Sequence, residues 1–169
     1  MEWRLAAAVP RWAVRFYLRH WKPIVGLSLV GSVQRLAVVG WGDAVPSGVA
    51  AASEVVVVVA RVLLVVVVWR LAMRGITVAW PRIQEFVTAH WRSLVYQGLG
   101  LSVAFLVFDL GAEQGVSALL PEAWRQGYLA ALLFVKNPTV IAFTVVWWIG
   151  MVRQACGTAT PAASGRGPA

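Results

Sequence analysis

Apolar residues in this chain collect in four long blocks, and most polar residues fall between them. The blocks run from about Ile24 to Trp41, Ala51 to Met73, Leu94 to Gly111 and Tyr128 to Val152. About 20 mostly apolar residues carry a helix across a hydrocarbon core of roughly 30 Å, so each block suffices for one crossing. The second block holds ten valines between Val55 and Val68, a composition that favours a strand in water. Strand pairing in lipid would leave open edges with unsatisfied backbone groups, so the block predicts a helix. The expected fold is an all-α membrane protein with four transmembrane helices.

Composition supports lipid as the solvent. Of 169 residues, 60% are hydrophobic and only 13% charged, and the mean hydropathy is +0.73. So few charges do not coat a globule of this size in water. The same hydrophobicity excludes a disordered chain, and a single cysteine, Cys156, excludes a disulfide scaffold.

The formal charge is +8, from 15 basic and 7 acidic residues. An excess of this kind can indicate nucleic acid. Here the basic residues flank the apolar blocks, so a membrane surface with anionic headgroups is expected instead, and no nucleic acid. Arg4, Arg11, Arg15, Arg19 and Lys22 precede the first block, Arg70, Arg74, Arg82 and Arg92 lie around the second loop, and Arg153 and Arg166 follow the fourth block. The other loops carry Asp43 and Glu54, and Glu113 and Glu122 against Arg125. This asymmetry predicts a cell (inner) membrane protein with both termini cytoplasmic. Trp12, Trp21, Trp69, Trp80, Trp91, Trp147 and Trp148 are expected near the inner interface, Trp41 and Trp124 near the outer one.

Residues 1–23 are expected to form an interfacial amphipathic helix opened by Pro10. Arg11, Arg15, Arg19 and Lys22 make its basic stripe, with Trp12, Phe16 and Trp21 turned to lipid. A simple positive-inside anchor explains the same residues without a binding role. Hairpins follow over residues 24–73 and 94–152, joined by a cytoplasmic connector over 74–93, and residues 153–169 form a disordered cytoplasmic tail.

The halves look alike. At an offset of seventy positions Phe16, His20, Trp21, Val25, Leu29, Ser32, Val33 and Leu36 meet Phe86, His90, Trp91, Val95, Leu99, Ser102, Val103 and Leu106. Both hairpins would enter from the cytoplasm, which makes this a tandem parallel repeat. Ser28 and Ser32, with Gly98 and Ser102, give small faces for packing the first span on the third, or for a dimer seam.

Apart from Glu54 and Arg70 near the ends of the second block, four charges fall inside the apolar blocks. Arg35, Arg61 and Lys136 lie at similar depth, each about two to three helical turns from a span end, and Asp109 lies near the outer end of the third span. A charge at a helix centre costs roughly 2.5–3.5 kcal/mol on insertion scales, so the cations are expected to face the bundle interior or a watery vestibule. With Gln34 and Asn137 nearby they would form an outer basic pocket for an anion or lipid headgroup. Snorkelling, or a bridge from Arg61 or Arg35 to Asp109 or Glu54, accounts for the same residues without a ligand, and the shallow positions of Arg35 and Asp109 favour it. Asn137-Pro138 should interrupt the backbone bonding of the fourth span.

His20 and His90 are the only histidines, and a haem iron held between them is a remote option. No cofactor or metal is otherwise expected. Phosphate-loop, dinucleotide, zinc-protease and serine-hydrolase motifs are all missing. The expected role is that of a non-enzymatic integral or accessory subunit of a larger membrane assembly, with other membrane subunits or its own copies as partners. The alternative is a small oligomeric transporter or channel with a basic outer vestibule.

Overall fold

The computed structural model describes residues 2–41 and 46–157, without the side chains of residues 39–41. The expectations for Asp43, for Trp41 in the outer belt and for the tail beyond Gly157 lie outside the described residues. Every described element is helical: α1 (Glu2–Arg19), α2 (Trp21–Trp41), α3 (Ser47–Ala72), α4 (Trp80–Leu106), α5 (Glu122–Lys136) and α6 (Ala142–Gly157). A π-helical stretch, Val107–Val116, and a last turn, Ser117–Leu119, extend α4, and a second π stretch, Asn137–Ile141, joins α5 to α6. The protein is all-α. Three continuous helices, Ser47–Ala72, Trp80–Leu119 and Glu122–Gly157, are long and apolar enough to cross a membrane. The first expected span coincides with α2, which is 21 residues long.

The α5–α6 rod is the spine. Its α5 half packs on α2, and its α6 half packs on α1, α3 and α4. The core lies around α6, where Ala142, Val146 and Ile149 meet Ala13, Phe16, Ile24, Leu64, Val68 and Ala72. On α3 the buried residues Val57, Ala60, Leu64, Val68 and Ala72 form one stripe at helical spacing. The valines between them face outward, as a lipid-facing helix requires, since lipid is as apolar as the residues it meets.

The N-terminal segment departs from expectation. Pro10 sits inside α1, and the helix already begins at Glu2. The missing proline N–H removes one backbone bond, but the turns around it are held from outside. Ala6, Val9, Ala13 and Phe16 form a buried stripe, and Trp3 meets Tyr96 edge-on at 6.2 Å. The helix runs antiparallel along α6: the Leu5 carbonyl accepts from Gln154 (2.9 Å), and Tyr17 packs on Phe143. Gly150 permits the approach, since a Cβ there would lie 2.7 Å from the Trp12 ring. Phe16 and Trp12 therefore turn inward against protein rather than outward, because the small residues of α1 and α6 let the backbones close over them.

Other boundaries shift for physical reasons. The expected connector 74–93 is helical from Trp80 and continuous with the third span. The third span does not end at Gly111 but continues to Leu119, and the fourth rod starts at Glu122 instead of Tyr128. Tyr128 donates to the Ala112 carbonyl (2.7 Å) across this extension. Residues 153–157, expected in the tail, complete α6. Asn137-Pro138 does interrupt the α-helical bonding, yet the rod passes through it as a π turn, which absorbs the lost donor without ending the helix.

The seventy-residue offset has one structural counterpart. His20 separates α1 from α2, and His90 carries non-helical φ −127° and ψ 28° inside α4. Each imidazole leans on the phenylalanine one turn earlier, at 4.7 Å for Phe16 and 5.0 Å for Phe86, with interplanar angles of 50° and 52°. Beyond the breaks the likeness fades. Ser28 and Ser32 are buried, whereas Gly98 is half-buried and Ser102 exposed. The small face of α2 meets the fourth rod, where Ser32 donates to the Phe134 carbonyl at 2.6 Å.

Candidate functional site

The polar residues of the apolar blocks separate into distinct environments. Lys136, at the end of α5, donates to Asp109 at 2.6 Å and to Glu113 at 2.8 Å. The π stretch of the third rod widens the turn so that Asp109 and Glu113, four residues apart, both reach one ammonium. The Lys136 side chain is 16% exposed, against 44% for Asp109 and 35% for Glu113. Lys136 also lies 5.8 Å from the Phe108 ring centre. Each charge-assisted bond contributes about 1.5–3 kcal/mol, and inserting a lone lysine costs roughly 2.5–3.5 kcal/mol. Two such bonds offset that cost, so Lys136 needs no ligand. With both acids ionised the group carries one excess negative charge, opposite to the positive excess expected there.

Arg35 and Arg61 do not join this group. Both are exposed on the outer surface of the bundle rather than in its interior. Neither makes an ion pair among the described residues, and the acids proposed for them are engaged elsewhere. Asp109 is held by Lys136, and Glu54 accepts from Gln34 at 2.9 Å. The stem of Arg61 borders a 20 Å3 crevice between α2, α3 and the second π stretch, which Asn137 and Gly31 also line. Asn137 is buried, its amide nitrogen 3.4 Å from where a Cβ on Gly31 would sit. Of the five residues expected to share a polar site, the fold thus joins Asp109 to Lys136, sets Arg61 beside Asn137, and leaves Arg35 apart.

At the opposite end, Arg11, Arg15, Arg19, Trp21 and Lys22 are exposed, while Trp12 is half-buried between Phe16 and Gly150. His90 Nδ1 lies 3.1 Å from Glu2 Oε1, and His20 sits in the α1–α2 break. Among the described residues no group of three or more His, Cys, Asp or Glu converges as a metal site would require. Cys156 is buried.

Two participants escaped the sequence reading. Glu113 lies just past the last apolar residue of the third block and therefore read as a loop residue. Its spacing of four from Asp109 was the available signal, because that spacing shares a face only if the helix continues. Tyr17, whose hydroxyl donates to the Pro138 carbonyl at 2.5 Å, gave no signal: the pairing spans 121 positions. No family model, curated protein or solved structure matches this chain.

Proposed function

We propose that this protein is a non-enzymatic, multi-pass subunit of a larger assembly in the cell membrane. In this reading α2 provides the fourth crossing, the crossings form two tandem hairpins, and both termini lie in the cytoplasm. Support for the orientation comes from the arginines around α1, the α3–α4 loop and the end of α6. The contact of Leu5 with Gln154 also brings both described ends of the chain together.

One observation carries the assembly role. Arg35 and Arg61 present guanidinium groups on the outside of long apolar helices without an acidic partner among the described residues, although Lys136 is satisfied twice. Membrane helices meet such costs by pairing with polar groups on a neighbouring helix. The partner is therefore a membrane helix with an acidic side chain opposite Arg61 or Arg35. An anion-conducting vestibule draws less support, because Lys136 is neutralised and the three cations do not converge.

The test is particle mass after extraction from native membranes in mild detergent. The wild-type chain should travel with stoichiometric partner protein, and Arg61→Gln combined with Arg35→Gln should release it. A lone monomer in the wild type, or a complex indifferent to both substitutions, contradicts the proposal and leaves snorkelling as the role of these arginines.

A further inference from the structure

Arginines also meet at the end of the bundle where the chain's described ends come together, and they do so around a cavity. Arg15, Arg19 and His20 from α1 and the break after it, Arg74 beyond the end of α3, and Arg153 from α6 line a crevice of 420 Å3 with Trp12. No carboxylate lines it. None of its four arginines has an acidic partner among the described residues, where ion pairing is confined to His90–Glu2 and the Lys136 group.

One wall is preset. Arg153 donates to the Ala72 carbonyl, and its guanidinium lies over the Trp12 ring, 5.5 Å from the centre. Gly75, at φ +73°, turns the chain immediately after Arg74. Four guanidinium groups around one opening repel one another unless an anion lies between them. Phosphate fits best, because its oxygens accept paired N–H donors from several arginines at once.

We infer that this crevice binds the phosphate headgroup of an anionic lipid. Lipid is favoured over a soluble phosphate by position: Phe16 and Leu71 also line the crevice, which lies at the end of α3 and the start of α2, where the expected spans meet the inner interface. A headgroup held there keeps its acyl chains on the bundle side, as in basic pockets between membrane helices on the cytoplasmic side. The inference rests on the membrane reading above and gives the basic stripe of α1 a defined receptor with contributions from α3 and α6.

The experiment uses the full chain in mixed micelles, with phosphatidylglycerol or phosphatidylcholine as the probe and native mass spectrometry as the readout. Phosphatidylglycerol should bind at least about tenfold more tightly. Arg15→Gln with Arg74→Gln, both exposed and outside the packed core, should reduce the preference to about twofold or less. Arg4→Gln with Arg82→Gln removes the same charge outside the crevice and outside the α1 stripe and should leave the preference intact. Equal losses from the two pairs would reduce the effect to diffuse attraction and overturn the site. Displacement by an equimolar amount of soluble glycerol phosphate would overturn the lipid as its source. A chain that stays in solution without surfactant defeats the membrane reading itself; a surfactant-requiring chain that does not discriminate defeats this inference alone.

Discussion

Cations are handled in opposite ways at two regions of the bundle. Around Lys136 a single ammonium meets two carboxylates within 2.8 Å. Around Trp12 four arginines and a histidine line one crevice without an acid. The first arrangement is closed: its bonds are made inside the chain, and its net charge is slightly negative. The second is open: Arg153 is braced by the Ala72 carbonyl and the Trp12 ring, but no carboxylate of the chain answers its four positive charges. A cation inside an apolar helix does not by itself mark a binding site. What distinguishes site from scaffold is whether the protein supplies the counter-charge.

Removing the closed group should have the largest effect. Lys136→Met leaves Asp109 and Glu113 facing each other without their cation. Because both carboxylates are partly exposed, the expected loss is about 2–3 kcal/mol, below the usual cost of breaking a fully buried pair. Thermal unfolding in fixed micelles reads it directly. Arg15→Gln, by contrast, should change the same midpoint very little, and equal sensitivity of the two positions would erase the contrast between them.

Gly150→Ala comes next. The added Cβ would meet the Trp12 ring at 2.7 and 2.8 Å, and Trp12 is already stacked on Phe16 at 4.9 Å. Parting α1 from α6 should cost about 1–3 kcal/mol and also loosen the wall that Trp12 and Arg153 give the arginine crevice. A neutral Gly150→Ala midpoint would show that α1 is not clamped there.

The smallest effect concerns Tyr17, which ties α1 to the π stretch just after Lys136 and so links the two regions. Burial raises its phenol above the ordinary value of 10.0. The protonated form is thus favoured by folding: its contribution is fully present below about pH 10 and is lost as the pH rises through the folded value. Tyr17→Phe should remove about 1 kcal/mol near neutrality and flatten that alkaline decline. Matching declines in the two proteins would assign it to other groups.

The long apolar blocks were legible because lipid imposes a length requirement that soluble cores do not. Three of them reappear within long apolar helices, and those of the third and fourth blocks run well past the expected ends. The offset of seventy has a single structural counterpart, the paired breaks at His20 and His90, which the sequence reading did not expect. Packing was not legible. Ser102 matches Ser32 in sequence, but Ser32 is buried against the fourth rod and Ser102 is exposed. Equivalent residues acquire different neighbours because α2 has both α3 and α5 beside it. The ends of the third and fourth rods were hidden for another reason. Helix continuation past Gly111 depends on bonds from Tyr128 and Lys136, which no local pattern records. The same gap concealed Glu113 and made the Lys136 site read as positive.

The proposed orientation, with both ends of a lipid-solvated bundle on the cytoplasmic side, would put the arginine crevice at the inner leaflet. Maleimide labelling of single cysteines added at each end, in a Cys156→Ala background, tests this in intact cells and in inverted membrane vesicles. Both ends should be protected in cells and labelled in inverted vesicles. Labelling of one end alone in intact cells would contradict the shared side and the location proposed for the crevice.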